Sequence, residues 1–332
     1  MAQALVTEGK GILAADESDA TCGKRFLKYG IPNIPEMRRK WRELLFATPG
    51  IETGLSGVIL FDETIRQKTG TGVPFPALLK NRGILTGIKV DQKTEPFAGS
   101  PAEEVTKGLE GLSARLAEYK KLGASFTKWR AVIRIGIGLP TAACIRENAK
   151  RLAAYALASQ QAGLVPLLEP EVLLDGTHTL ARCEEVLTET LRVVFDEVKK
   201  TGCDVSGLIL KSSMALPGNA SGEQASPKEI AEATLRALTA SVPREVSGIV
   251  LLSGGQTPEE ATIRLNKIVK TASAAGRTPW RLSFSFSRAL QGPVLKEWAG
   301  NDAKKGSAQA IFAKRVSETA RAARGEYVAP TV

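Results

Sequence analysis

The chain has 332 residues, 43% of them hydrophobic, 24% charged and 5% aromatic. That composition excludes a disordered, collagenous or disulfide-stapled protein. The 45 Lys and Arg against 35 Asp and Glu give a net charge of +10, which favours anionic partners, either nucleic acid or phosphorylated metabolites. No block is dominated by Lys and Arg and aromatics are few, so no nucleic-acid partner is expected. Charges interrupt every apolar run before the roughly 18 residues of a membrane span, so no membrane partner is expected either. The start, MAQALVTEGK, lacks the basic and apolar regions of a signal peptide. Cys22, Cys144, Cys183 and Cys203 form no C-x-x-C pair, as in a reduced, cytoplasmic protein.

Eight stretches rich in aliphatic residues follow one another along the chain. They are 10–16, 56–62, 85–91, 126–133, 164–172, 206–214, 247–255 and 281–290. Helix-like segments are predicted at 101–122, 141–162, 178–201, 227–241 and 258–275. Three of them open with start signals: Ser100-Pro101 with Glu103, Ser226-Pro227 with Glu229, and Thr257-Pro258 with Glu259 and Glu260. Alternation of strand and helix, with no Pro/Ser-rich linker, predicts an α/β protein: a single (β/α)8 TIM barrel over residues 1–332. An open doubly wound sheet is the alternative, weakened by the lack of a glycine-rich dinucleotide turn.

Strands of a parallel barrel should be apolar along most of their length. Here charges collect toward their C-terminal halves: Asp16, Lys89, Asp91, Lys128, Arg130, Glu169, Glu171 and Lys211, with Arg288 after the eighth. Pairs at i, i+2 share one face of their strand. If that face is the interior, acids and bases converge at the C-terminal mouth, where barrels of this fold do their chemistry. Strand ends that merely reach solvent are the simpler explanation of any one of them.

Only one histidine is present, His178, which disfavours a His-rich zinc site or a Ser-His-Asp triad. A structural role is expected for it, capping or bonding nearby backbone. Acid–base work falls to carboxylates, lysines and arginines. Lys211 ends the most continuously apolar strand, and burial there favours the neutral amine, a nucleophile toward carbonyls that forms a Schiff base. Otherwise it is a lysine snorkelling to solvent. Glu169 and Glu171 are candidates for the proton transfers and Asp16 is a further carboxylate. Two strand-end acids would also suit a glycosidase, though a neutral sugar has no need of the cations. Ser253-Gly254-Gly255-Gln256, before a helix, is either an anion-binding turn with Arg288 beside it or a simple loop; Gly-Gly-Gln also occurs in peptide release factors.

These residues resemble class I fructose-1,6-bisphosphate aldolase, from KGILAADES (10–18) to RAARGEY (321–327). The motifs are GILAADES with GKR at 23–25, VILFDETI, GIKVD, FTKWR, EPEVLLDG, LILK, LSGGQ and SFSRALQ, and ATCGKR looks closest to the plastid-like branch. The resemblance implies a lyase of glycolysis and gluconeogenesis. It would cleave fructose 1,6-bisphosphate reversibly to dihydroxyacetone phosphate and glyceraldehyde 3-phosphate, without cofactor or metal, as a cytoplasmic homotetramer. It implies Lys211 as the Schiff-base lysine, Glu169 as proton donor and acceptor, Asp16 at the hydroxyl of the cleaved bond and Lys128 at the reacting carbons. Ser253, Gly254, Gly255 and Arg288 would hold the phosphate near the carbonyl, Lys89, Ser18 and Arg25 the other. Arg130 and Glu171 would support the lysine.

Three departures stand out. Ser212 follows Lys211 where the family commonly has proline. The hydroxyl expected before Arg25 comes from Thr21. The family usually carries a longer mobile tail ending in tyrosine, whereas the last tyrosine here is Tyr327 in a short C-terminal tail. Another phosphosugar (fructose 1-phosphate or sedoheptulose 1,7-bisphosphate) and a non-catalytic barrel scaffold are the alternatives.

Overall fold

A computed structural model describes residues 1–274, 276 and 278–329. Its strands are β1 (Gly11–Ala15), β2 (Leu55–Leu60), β3 (Leu85–Lys89), β4 (Thr94–Phe97), β5 (Ser100–Thr106), β6 (Phe126–Ile133), β7 (Val165–Val172), β8 (Ile209–Ser212), β9 (Gly248–Leu251) and β10 (Arg281–Phe286). All but β4 and β5 are parallel and close in the cyclic order β1-β10-β9-β8-β7-β6-β3-β2. Because β1 pairs with both β2 and β10, the sheet has no free edge, which settles the choice against an open doubly wound sheet.

The predicted helices are found at Ala142–Gln161, Leu180–Lys200, Pro227–Ser241 and Pro258–Ala274; residue 275 lies outside the described residues. Ser226 and Glu229 form the expected capping box, and Thr257 and Glu260 exchange the same two bonds at 3.0 and 3.2 Å. The segment 101–122 departs from expectation. Only Leu112–Lys121 is helical, while 100–106 is β5, antiparallel to β4. The reason is tertiary. Glu103 is buried, and its carboxylate accepts from Thr141 N at 2.8 Å and Thr141 Oγ1 at 2.6 Å. The residue read as capping its own helix thus anchors the N-cap of the next one.

Two apolar layers hold the barrel. One fills the space between strands and outer helices, including helices Pro35–Phe46, Arg288–Trp298 and Lys305–Ala322. The other lies inside the barrel and comprises Ile12, Ala14, Ile59, Phe126, Val165, Leu167, Ile209 and Val250, closed below by Ala2, Leu5 and Val6 of the N-terminal segment. Phe126 fits only because β3 carries Gly87, where a Cβ would lie 2.3 Å from the ring. Below, Ser56 Oγ ties the N-terminal segment to the barrel, its single proton facing Leu5 O at 2.6 Å and Gly11 O at 3.0 Å.

Candidate active site

The inward face of β1, β6, β7 and β8 changes character along its length. Ile12 and Ala14 of β1 are followed at the same parity by Asp16; Phe126 of β6 by Lys128 and Arg130; Val165 and Leu167 of β7 by Glu169 and Glu171; Ile209 of β8 by Lys211. Alternation of side chains therefore puts a dry layer below and an ionic layer above it.

Four of the predicted residues meet directly. Glu169 stands between two ammoniums, with Oε1 2.8 Å from Lys211 Nζ and Oε2 2.7 Å from Lys128 Nζ. Lys128 reaches on to Asp16, hydrogen bonding to Oδ2 at 2.8 Å. All four side chains are at least nine-tenths buried, and two cations balance two anions, as burial requires. The Lys128–Glu169 contact is an ion pair without hydrogen-bond alignment, since Glu169 Oε2 has no hydrogen-bond partner. The carboxylate is thus held by charge more than by direction.

Burial opposes ionisation of both carboxyls, but the lysines prevail. Lys128 and Lys211 hold Asp16 well below the usual carboxylate range, and Lys128, Lys211 and Arg130 do the same for Glu169. Burial likewise disfavours the Lys128 ammonium, yet Asp16 and Glu169 keep it above the ordinary lysine value. Lys128 is pinned as a cation between two carboxylates, whereas Lys211 touches one.

The remaining predicted residues make contacts of their own at the ends of the strands and in the segments that follow them. Arg130 pairs with Glu171 and Lys89 with Asp91. Ser18 caps helix Asp19–Leu27, accepting from Thr21 N at 3.4 Å. Ser253 is buried above β9, and Gly254 and Gly255 follow with φ of +37° and +85°, a left-handed turn that only glycine adopts freely. Arg288 is exposed, with a guanidinium nitrogen 3.9 Å from the Cβ position at Gly255. The loop after the seventh barrel strand and the residue after the eighth are therefore adjacent. Arg25, Ser18 and Lys89, grouped by resemblance, each bond elsewhere here: Arg25 with Glu17 and Ser287, Lys89 with Asp91.

A family model described as fructose-bisphosphate aldolase class-I matches residues 1–332. The chain is 50% identical over 330 residues to a Xanthomonas axonopodis protein named "Probable fructose-bisphosphate aldolase class 1", covering 98% of this chain and 97% of that one. The chain belongs to the class I fructose-bisphosphate aldolases. The Arabidopsis thaliana protein named "Fructose-bisphosphate aldolase 5, cytosolic" is 48% identical over 326 residues, 98% of this chain and 90% of that one. Among solved structures, a Plasmodium falciparum fructose-bisphosphate aldolase, in complex with TRAP and a small-molecule inhibitor, superposes with a TM-score of 0.96. It is 41% identical, and the match covers 99% of this chain and 94% of that one.

Two features of this aldolase bear on the sequence reading. His178 has the structural place expected of it: the imidazole is buried against the Leu216 backbone and fills the space beside Gly176 and Gly218, where a Cβ would lie 3.0 Å from Nδ1. Its contribution to backbone bonding is its own carbonyl, which accepts from Gly218 N at 2.8 Å. Glu17 escaped notice altogether, although Arg25, Arg42, Ser287 and Gln291 all converge on it. The available signal was its position beside Asp16: on an extended chain one of two consecutive acids must point out of the barrel and needs cations there.

Proposed function

We propose that Lys211 is the lysine through which this aldolase cleaves fructose 1,6-bisphosphate, reversibly, to dihydroxyacetone phosphate and glyceraldehyde 3-phosphate. The observation that carries the assignment is Glu169 placed 2.8 Å from Lys211 and 2.7 Å from Lys128. Lys128 is pinned between two carboxylates while Lys211 touches one, so Lys211 is the amine assigned as nucleophile. Its proton passes to Glu169, and the neutral nitrogen adds to the C2 carbonyl. Glu169 then returns the proton to the carbinolamine oxygen, which leaves as water, and an iminium remains. Departure of the Lys211 proton removes one of the charges that depress Glu169, which makes the carboxylate a better acceptor at that moment.

The iminium draws the electron pair of the C3–C4 bond toward nitrogen, and the C4 hydroxyl proton goes to Asp16 as the bond breaks. Glyceraldehyde 3-phosphate leaves and an enamine stays on Lys211. A proton is added at C3, balanced by the one that Asp16 gives up, and the iminium so re-formed takes up water at C2, which releases dihydroxyacetone phosphate and the free lysine. Lys128 offsets negative charge on Asp16 and Glu169 throughout, and Arg130 with Glu171 steadies the flank. Ser253, Gly254, Gly255 and Arg288 hold the phosphate near the carbonyl; Lys89, Ser18 and Arg25 hold the other. The chain works as one catalytic unit. A homotetramer follows from family likeness, and the plant relatives named cytosolic support a cytoplasmic setting.

Borohydride reduction in the presence of dihydroxyacetone phosphate tests the assignment. Peptide mass spectrometry is expected to find the adduct on Lys211, and Lys211→Ala is expected to lose turnover by at least about a thousandfold while keeping its circular dichroism. An adduct on Lys128 instead, or turnover retained in Lys211→Ala, overturns it.

A further inference from the structure

Glu17 takes no part in the steps above, yet its side chain is only 5% exposed and heavily partnered. Oε2 lies 2.6 Å from an Arg42 guanidinium nitrogen. Oε1 pairs with Arg25 and accepts from Ser287 Oγ at 2.7 Å and Gln291 Nε2 at 2.9 Å. Arg25 also donates to Ser287 Oγ at 3.2 Å, and Gln291 donates to Ala14 O at 2.7 Å. One carboxylate thus joins the end of β1 to the residue that precedes Arg288.

A single carboxylate cannot neutralise two guanidiniums. The group keeps one positive charge, and exposure decides where it is presented: the Arg42 side chain is 2% exposed, that of Arg25 23%. Arg42 is the buried counterion, and Arg25 faces outward with donors to spare. Left alone, an arginine on the nine-residue helix Asp19–Leu27 would sample many rotamers. Glu17 and Ser287 fix its direction in advance, so an arriving anion meets an arginine already ordered.

The geometry points to Glu17 as a positioning residue that aims Arg25 at the phosphate remote from the carbonyl, and so sets preference for a bisphosphate over a monophosphate sugar. The inference rests on the reading of Arg25 given above. Its test is a double-mutant cycle, Glu17→Gln with Arg25→Met, assayed on fructose 1,6-bisphosphate and fructose 1-phosphate. Glu17→Asp, which keeps the charge, replaces Glu17→Gln if the latter does not fold. Glu17→Gln is expected to raise KM for the bisphosphate about tenfold and for the monophosphate less than about twofold, and to add nothing once Arg25 is Met. Equal losses on both substrates, or full additivity with Arg25→Met, would mark Glu17 as merely structural and overturn the proposal. If Arg25→Met abolishes discrimination while the Glu17 variants keep it, the proposal falls and the reading of Arg25 stands. If Arg25→Met leaves discrimination intact, both fall.

Discussion

Asp16, Glu17 and Glu169 are all held ionised against burial by neighbouring cations, which makes acid the condition that tests them. Burial favours the protonated form of Glu17, but Arg42 and Arg25 outweigh it and lower its carboxyl from 4.5 to about 2. The folded state therefore holds this proton less tightly than the unfolded chain. The resulting stability is complete above about pH 4.5 and is lost as pH falls toward 2, roughly 3 kcal/mol from this residue alone. Asp16 and Glu169 act with the same sign. The urea midpoint is expected to fall steeply between pH 4.5 and 3, and less steeply in Glu17→Gln; a midpoint flat across that range would contradict an ionised cluster. At this scale the inward charges were legible because a charge in a parallel strand breaks an expectation. Glu17 was not, since its counterions lie 8 and 25 residues further on, at Arg25 and Arg42, and no local pattern links them.

At the scale of elements, the N-terminal helix Ala2–Leu5 is too short to be stable by itself. It exists because Leu5 and Val6 complete the layer inside the barrel. Leu5→Ala is expected to cost about 2–5 kcal/mol of stability while leaving kcat nearly unchanged, because the side chain lies at the end of the barrel opposite Lys211. Chemical denaturation and steady-state kinetics on the same preparation check both halves; a large fall in kcat with stability intact would refute the separation. Elements with their own punctuation, such as Ser226-Pro227, could be read directly. The β4–β5 hairpin could not, because its carboxylate signal belongs to a helix that begins some forty residues later, and the same Glu serves either purpose.

Across the whole molecule, the residues proposed to act on the substrate come from strands β3, β6, β7 and β8 and from the segments that follow β1, β9 and β10. Among the described residues no three His, Cys, Asp or Glu side chains gather as metal ligands, and cations already occupy the mouth. Turnover is accordingly expected to survive dialysis against EDTA, with loss on chelation and recovery on adding a divalent metal as the contrary result. The cyclic strand order has a consequence for synthesis. Ile12 pairs with Ser285, and Ser287 bonds Glu17 across 270 residues, so the ribosome has emitted most of the chain before the ring can shut. Until then Asp16 waits on an unpaired strand edge, exposed to water, while Lys128, Glu169 and Lys211 can already assemble on adjacent strands. During synthesis, therefore, the cluster of Asp16, Lys128, Glu169 and Lys211 is completed only when the last strand joins the first.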